Sequence, residues 1–261
     1  MDLEIEGNAA LVTASSSGLG KAAASALLRE GVDVTINGRD RQRLEAAREE
    51  LREVGPGTVR AQQADITDPD AAEELLEGTV SAFGGLDHLV TSAGGPPSGA
   101  FLETTEEDWQ DAYDLLVMSV VRLARAAEPH LSEGEGTIVT ITSRTVKEAL
   151  DELVLSNAVR MGVIGLEKTL SREFAPEIRT NAVLPGPHET ARIRELVEAA
   201  VDRGDADSYE AGLEDWADNP LERIGDPIEL GNTVAFLCSP KSGFVNGAAI
   251  PIDGGASRSN L

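Results

Sequence analysis

Residues Thr13-Ala-Ser-Ser-Ser-Gly-Leu-Gly20 lie between a short apolar run, Ala9 to Thr13, and a helical pattern that continues to Glu30. Gly18 and Gly20 allow the backbone to approach a bound group closely, and the N-terminus of the helix offers N–H donors and the positive end of its dipole. A strand, a glycine-rich turn and a helix in this order are typical of a fold that binds the pyrophosphate of a dinucleotide. The alternative is an ordinary tight turn between a strand and a helix.

The rest of the chain repeats this alternation of apolar runs and amphipathic helical patterns. The repeat predicts an α/β fold, a Rossmann-like doubly wound parallel sheet of about seven strands in a single domain that spans 1–261. The predicted strands after the first are Val32–Ile36, Val59–Ala64, Leu86–Thr91, Thr137–Thr142, Arg179–Leu184 and Ala248–Ile252. The predicted helices after the first are Asp40–Val54, one opened by Asp68-Pro69, a long one from Thr105, and Leu153–Phe174. The acidic stretch at about 191–222 interrupts this rhythm where ligands bind in such folds, and we expect it to form a lid over the substrate.

The chain is strongly acidic, with 46 acidic against 22 basic residues and a formal net charge of −24. The acids are spread along its whole length, which favours a hydrated surface suited to high salt, as in proteins of halophiles. The alternative is a docking face for a basic partner. Nucleic-acid binding is disfavoured, because a phosphate backbone requires a basic stripe and none is visible in the sequence.

Other features of the sequence bear on membrane insertion, export, disulfide bonds and location. No window of about 18 uncharged apolar residues is present, so a membrane span is not expected. The N-terminus begins acidic and runs directly into a strand, which is unlike a signal peptide. Cys238 is the single cysteine, which excludes a disulfide framework, and its apolar surroundings predict an inert core thiol. No metal site is predicted, and a cytoplasmic location is the default expectation.

The end of the second predicted strand bears on the choice of nucleotide. A site specific for NAD places an acid there to accept hydrogen bonds from the ribose hydroxyls, whereas this chain has Asn37-Gly38-Arg39. A guanidinium matches a 2′-phosphate in geometry and charge, and the hydroxyls of Ser15 to Ser17 add donors. NADP(H) is therefore favoured over NAD(H). The alternative is that Arg39 only solvates the start of the next helix beside Asp40.

Further motifs are Asp65-Ile66, Thr91-Ser-Ala-Gly94, Gly94-Gly-Pro-Pro97, Asn181-Ala-Val-Leu-Pro-Gly186 and Ile252-Asp-Gly-Gly255. Together with the glycine-rich turn, they resemble the short-chain dehydrogenase/reductase family, and within it the 3-oxoacyl-ACP-reductase-like proteins, over essentially the whole chain. The family has Gly where this chain has Ala14, a change that costs about a kilocalorie per mole if the position needs a positive φ. The resemblance implies that a nicotinamide cofactor is bound by Ala14, Ser15, Ser16, Ser17, Gly18, Leu19, Gly20, Arg39, Asp65, Ile66, Ala93, Gly94, Pro185, Gly186, His188 and Thr190.

The same resemblance implies an altered catalytic site. In the family a Ser, a Tyr and a Lys act on the substrate oxygen, and an Asn positions water in the proton path. Ser143 keeps the serine, but Ser156 takes the place of the Tyr, Arg160 that of the Lys and Leu116 that of the Asn. A serine hydroxyl is a far weaker acid or base than a phenol next to an ammonium group. Arg160 stays charged and cannot relay protons as Lys does, but it can orient an anion or polarise an oxygen.

Two more basic residues follow Ser143 on the loop that faces the substrate in this fold. Lys147 is a candidate surrogate, because a partly buried lysine acts as acid or base when desolvation lowers its pKa. The alternative is a solvated lysine beside Glu148. Arg144 is a candidate clamp for a carboxylate or a phosphate, or else a structural residue.

Two functions follow from these residues. The first is an NADP(H)-linked oxidoreductase that acts on a carbonyl or a secondary alcohol through a rewired proton path around Ser143, Lys147, Ser156 and Arg160. The second is a cofactor-binding protein that has lost hydride transfer and serves as a nucleotide-responsive or partner-binding subunit. The resemblance also implies a homotetramer or a dimer, and the apolar faces of 118–127 and 163–170 are the predicted contacts.

Overall fold

The computed structural model describes residues 1–131 and 134–259, the side chain of Arg192 excepted. Within these residues, seven strands form one parallel sheet in the order β3-β2-β1-β4-β5-β6-β7, which confirms the predicted doubly wound architecture. The strands are β1 Ala9–Val12, β2 Asp33–Gly38, β3 Val59–Gln63, β4 His88–Thr91, β5 Gly136–Ile141, β6 Ile178–Pro185 and β7 Ala249–Ile252. Strands β1, β4 and β5 are buried along their full length, because helices cover both faces of the sheet.

The helices are α1 Gly18–Arg29, α2 Arg41–Leu51, α3 Ala71–Phe83, α4 Glu106–Tyr113, α5 Ser119–Leu131, α6 Val154–Glu173, α7 Ala191–Arg203, α8 Tyr209–Trp216 and α9 Pro227–Cys238. One apolar core joins α1, α2 and α9 to the sheet, and a second joins α3, α5 and the C-terminal half of α6 to it. The strand order reverses at β1, which lies between β2 and β4. In open α/β sheets the crevice for a ligand lies at such a point, at the carboxyl ends of the strands.

The long helix predicted from Thr105 is made of three parts. The hydroxyl of Thr105 accepts a hydrogen bond from the backbone N–H of Asp108 at 3.2 Å, and the Asp108 carboxylate accepts one from the Thr105 N–H at 2.8 Å, so α4 begins with a capping box. A π-helical segment, Asp114–Met118, then joins α4 to α5. Such segments are rare and are frequently found at functional sites.

Two predicted elements differ from the structure. The helix expected from Asp68-Pro69 begins at Ala71, because the Asp68 carboxylate accepts a hydrogen bond from the Asp70 N–H at 3.1 Å and closes a turn before the helix. The acidic stretch at 191–222 contains two helices, α7 and α8, joined through Gly204 in the left-handed region. Its role as a lid remains a prediction.

The faces predicted to pair copies of the chain are largely buried within the chain itself. On α5, Leu123 and Ala127 are at most 1 % exposed, and on α6 Val163 and Leu170 are also buried. These helices turn their apolar sides towards the sheet and towards each other. The buried residues are thus covered within the chain, and the pairing of copies through these helices remains a prediction.

Two further expectations concern burial and membranes. Cys238 is buried in α9, and burial raises the pKa of its thiol to about 12, as expected for a core thiol. In the part of the chain that the structure describes, no helix combines the length and the apolar character that crossing a membrane requires.

Candidate active site

A cleft of about 660 Å³ opens at the carboxyl edge of the sheet. It begins at the glycine-rich turn after β1, passes the ends of β4, β5 and β6, and ends beside α7 and α8. The predicted site residues that line it are Ala14, Ser16, Ser17, Gly18, Leu19, Gly20, Arg39, Asp65, Ile66, Ala93, Gly94, Ser143, Ser156, Arg160, Pro185, Gly186, His188 and Thr190. The fold thus brings into one cavity residues that are far apart in the sequence.

The glycine-rich turn is held in a close, partly strained shape. Ala14 has a φ of +45°, a region that an L-residue with a side chain rarely adopts. A β-carbon on Gly20 would lie 2.6 Å from the carbonyl oxygen of Ala14, so no side chain fits there. Gly18 has a φ of +58° and lies at the first residue of α1. The turn thus packs tightly on itself, and Ser16 to Gly20 place the N-terminus of α1 at the cleft.

Ser15 lies outside the cleft, although it belongs to the same turn. It is fully buried, its hydroxyl donates to the carbonyl oxygen of Val12 at 2.6 Å, and its oxygen accepts from the backbone N–H of Asn37 at 2.9 Å. Its own N–H donates to the carbonyl oxygen of Asn37. These bonds tie β1 to β2, and the position of Ser15 does not support the prediction that it contacts the cofactor.

At the end of β2, the turn after β1 crowds position 38. A β-carbon on Gly38 would lie 2.9 Å from the hydroxyl oxygen of Ser16. Arg39 is 73 % exposed in its side chain and approaches the Asp65 carboxylate at 3.7 Å, and Arg43 also lines the cleft. Asp40 instead caps α2 by accepting a hydrogen bond from the Arg43 N–H at 2.8 Å. Two guanidinium groups and the Ser16 hydroxyl thus surround this end of the cleft.

Asp65 is held in its charged form. Burial alone would raise the pKa of its carboxyl group, but hydrogen bonds from the Thr67 N–H and hydroxyl, together with the charge of Arg39, lower that pKa. The Asp65 carboxylate lies 3.7 Å from the Arg39 guanidinium, and both side chains remain exposed to solvent.

At the other end of the cleft, three hydroxyls and one guanidinium form a connected group. The Nε of Arg160 donates to the hydroxyl oxygen of Ser156 at 3.2 Å, one helical turn away on α6. The same oxygen lies 3.2 Å from the hydroxyl of Thr145, and the Thr145 N–H donates to the Ser143 hydroxyl oxygen, also at 3.2 Å. Ser156, Arg160 and Thr145 are each at most 8 % exposed. Burial makes these contacts stronger than they would be in water.

Leu116 lies in the π-helical segment and is 2 % exposed. It packs with Val120, Leu155 and Val159 in a small apolar core between α4, α5 and α6. The place where the resemblance implies an amide therefore holds an apolar side chain that stabilises the packing of α6.

Comparison with known proteins identifies the fold and its family. The sequence model of a family described as enoyl-(acyl carrier protein) reductase, one of the short-chain dehydrogenases/reductases, matches residues 13–257. The chain belongs to the short-chain dehydrogenase/reductase family.

Three relatives illustrate the likeness of this short-chain dehydrogenase/reductase to known proteins. It is 34% identical to a 3-oxoacyl-(acyl-carrier-protein) reductase of Staphylococcus aureus, over 94% of this chain and 96% of that protein. The structure of L-sorbose reductase from Gluconobacter frateurii, complexed with NADPH and L-sorbose, has a TM-score of 0.93 and 32% identity, covering 99% of this chain and 100% of that one. An NADPH-bound short-chain oxidoreductase from Pseudomonas aeruginosa PAO1, described as containing an atypical catalytic center, has a TM-score of 0.86 and 33% identity, covering 96% and 97%.

Lys147 of this short-chain dehydrogenase/reductase does not line the cleft. It follows a short 3-10 turn, Arg144–Val146, and its N–H donates to the carbonyl oxygen of Arg144 at 2.8 Å. Its side chain is half-buried, and the cleft wall at this loop consists of Ser143, Arg144 and Thr145. The prediction of Lys147 as a surrogate acid or base is therefore not supported by its position.

His188 lines the cleft as a neutral, fixed ring. Burial lowers the pKa of its imidazole, and Nδ1 lies 3.0 Å from the carbonyl oxygen of Gly186, which assigns the proton to Nδ1. Gly225 packs against the ring, where a β-carbon would lie 2.8 Å from the ring carbon Cδ2. This geometry agrees with a structural contact and makes His188 a poor proton donor.

Reasoning from the sequence missed four residues of the site. Thr145 and Arg43 carry ordinary side chains in segments without a motif, and only the fold places them beside Ser156 and Arg39. Glu195 and Trp216, on α7 and α8, line the end of the cleft. The interruption of the strand and helix rhythm signalled that this stretch would reach the cleft, but not which side chains would do so.

Proposed function

We propose that this protein is an NADP(H)-dependent oxidoreductase that transfers a hydride to or from a carbonyl or a secondary alcohol, with an altered proton-transfer site. The observation that supports this most directly is the single cleft that joins Arg39 and Arg43 at one end to Ser143 and Ser156 at the other. A binding groove for a nucleotide and a group of hydroxyls that can hold an oxygen are thus continuous. The NADPH found in the structures of the relatives supports the same proposal.

The residues of the cleft fit the proposed cofactor. The turn around Gly20 leaves no room for a side chain, and Gly186 is similar, since a β-carbon there would lie 2.6 Å from the Cβ of Asp253. Both glycines also line the cleft, where the lack of a side chain leaves their backbone open to it. Arg39, Arg43 and the Ser16 hydroxyl would hold the 2′-phosphate, which favours NADP(H) over NAD(H).

The cofactor and the hydroxyl side chains of the site would perform different parts of the reaction. When bound, NADP(H) supplies or accepts the hydride. Ser143 and Ser156 hold the substrate oxygen, and Arg160 makes the Ser156 hydroxyl a stronger donor by donating to its oxygen. Thr145 contacts the same hydroxyl and fixes its orientation. In place of a tuned phenol, the site would stabilise the developing negative charge with fixed hydroxyl donors, and the substrate oxygen would take its proton from solvent in the open cleft.

A second candidate function is a catalytically impaired nucleotide-binding or regulatory protein. Leu116 favours it, because the buried apolar core around this residue leaves no amide to position water in the π-helical segment. The cofactor end of the cleft is the same under both functions. The two proposals therefore differ only in whether the hydrogen-bonded side chains around Ser156 support turnover.

The test measures binding and turnover on the same preparation, in molar salt. NADPH and NADH are titrated by nucleotide fluorescence, and a panel of carbonyls and alcohols is assayed by nicotinamide absorbance. We expect tighter binding of NADPH and measurable reduction that is lost in Ser156→Ala and kept in Ser81→Ala, an exposed serine on α3. Tight NADPH binding without turnover of any compound would decide for the binding protein.

A double variant tests whether the pocket otherwise supports carbonyl reduction. Ser156→Tyr with Arg160→Lys restores the pair that the family uses on one face of α6, where residues four apart are neighbours. We expect a gain in reduction of simple carbonyls. If the variant binds NADPH and gains nothing, Leu116 or the shape of the pocket also limits the reaction.

A further inference from the structure

The charge of the cleft differs from that of the rest of the molecule. The whole chain carries 46 acids against 22 bases, yet the described residues that line the cleft include four arginines and three acids. The arginines are Arg39, Arg43, Arg144 and Arg160, and the acids are Asp40, Asp65 and Glu195. A cleft enriched in cations within so acidic a protein attracts ligands that carry negative charge.

The arginines are divided between the two ends of the cleft. Arg39 and Arg43 lie at the end of β2 and start of α2, where the 2′-phosphate of the cofactor accounts for them. Arg144 and Arg160 lie at the substrate end, and the Nε of Arg160 donates to Ser156. Neither the cofactor nor the hydrogen-bonded side chains around Ser156 therefore account for an arginine at position 144, next to Ser143.

Arg144 also differs from the other arginines in its surroundings. It is half-buried, and within residues 1–131 and 134–259 its side chain makes no hydrogen bond or ion pair. By contrast, Arg48, Arg52, Arg203 and Arg223 on the surface each contact a carboxylate at 2.9 Å or less. In a chain with twice as many acids as bases, a cleft arginine kept apart from acids is available to an anionic ligand.

We infer that the substrate is a carbonyl compound, or the corresponding alcohol, that carries a carboxylate or a phosphate group, and that Arg144 binds this anion. The inference rests on the proposed function and names its substrate class. Since Arg144 directly follows Ser143, which holds the reacting oxygen, the anion lies a few bonds from the carbonyl. In the reduction, hydride from NADPH joins the carbonyl carbon and a proton joins the oxygen, which gives the hydroxy compound and NADP⁺. The anionic group is unchanged.

Matched substrates test the inference. Acetoacetate is compared with methyl acetoacetate, and dihydroxyacetone phosphate with dihydroxyacetone, so that each pair compares a charged with an uncharged form of one group. We expect kcat/KM to be about ten- to a hundred-fold higher for the anionic member of at least one pair, the range of a charge-assisted contact. The pair that shows the preference distinguishes a carboxylate from a phosphate.

Variants connect the preference to the residue. Arg144→Met should remove it by raising KM for the anionic member alone, and Arg144→Lys should keep part of it, because an ammonium retains the charge but not the fork of donors. Arg172→Met, on the exposed side of α6, serves as the control and should keep the full preference. Turnover of the neutral members by Arg144→Met reports that the variant is folded. Equal kcat/KM within both pairs, or a preference that survives Arg144→Met, overturns the inference.

A binding measurement separates this inference from the proposed function. Malonate and inorganic phosphate are titrated by calorimetry into the protein with NADPH added. If Arg144→Met weakens this binding about tenfold or more, the anion site is supported. This holds even if no compound is turned over, in which case the proposed reaction fails but the anion site stands. Equal binding by both proteins, or none by either, overturns the anion site even if neutral carbonyls are reduced.

Discussion

Glu167 is a buried acid on α6 that should make the protein less stable as the pH rises. It is 3 % exposed, one carboxyl oxygen accepts a hydrogen bond from the hydroxyl of Thr140, and the other has no partner among the described residues. Burial raises the pKa of this carboxyl group from 4.5 to about 8, and the Thr140 contact offsets only part of that. At neutral pH the folded protein therefore keeps Glu167 protonated.

The magnitude follows from the difference in proton binding. Between about pH 4.5 and about pH 8 the folded chain holds a proton that the unfolded chain has released, so the free energy of unfolding falls as the pH rises. Each pKa unit corresponds to about 1.4 kcal/mol, which gives a loss of about 3 kcal/mol at pH 7 and about 5 kcal/mol above pH 8. These values are of the order of a typical domain's whole stability.

The substitution Glu167→Gln removes the charge and keeps the oxygen that Thr140 contacts. We expect the variant to match the wild type within about 1 kcal/mol near pH 5 and to exceed it increasingly up to about pH 8. Denaturant unfolding followed by circular dichroism, at a series of pH values and constant salt, measures both free energies. Glu173→Gln, an exposed acid at the end of the same helix, is the control and should show no such divergence. A difference between Glu167→Gln and wild type that stays constant with pH would refute the reasoning.

Four other predictions follow from the site and the surface. Arg39→Ala should weaken NADPH binding about ten- to a hundred-fold and leave NADH unchanged, as measured by fluorescence titration; equal losses for both nucleotides would contradict the 2′-phosphate assignment. Thr145→Val should lower kcat while the Kd for NADPH stays the same, and Thr145→Ser should restore kcat, because the serine keeps the hydroxyl beside Ser156. Ala14→Gly should raise the free energy of unfolding by about 1 kcal/mol, since glycine adopts a φ of +45° without strain; an unchanged midpoint in urea would show that the turn is not strained. Lowering the salt should lower the thermal midpoint, because the charge of −24 is then less screened, and a flat salt profile would argue against a surface suited to halophilic conditions.

The sequence predicted the strands and the glycine-rich turn well, because these depend on local patterns. Continuous apolar runs such as Ala9 to Val12 are what a strand buried on both faces requires, and they were located within a residue or two of the observed bounds. The family resemblance pointed to strain at Ala14 if that position needs a positive φ, and the observed φ of +45° meets that condition. Local chemistry decided both features.

Features that depend on tertiary contacts could not be predicted in the same way. Thr145 is an ordinary residue until β5 and α6 place its hydroxyl beside Ser156, and Ser15 matches a donor motif although its hydroxyl is used by Val12. A glutamate on a helix is usually predicted to face solvent. Only the packing of α6 on the sheet shows that Glu167 is buried. The burial of Leu123 and Leu170 within the chain could not be predicted either, because a helical pattern does not say which partner covers its apolar face.

The π-helical segment and the side chain that it carries differ in how easily they can change. An extra residue in a helical turn is difficult to insert or remove, because every later side chain would rotate to a new face, whereas Leu116 at its centre differs from an amide by a single substitution. The same holds for Ser156 and Arg160, which keep their places on one face of α6. If the proposed match to the family's site holds, a few point changes on this backbone would restore the family's side chains. A directed-evolution experiment that starts from this scaffold would have to search side chains, and not loops or insertions.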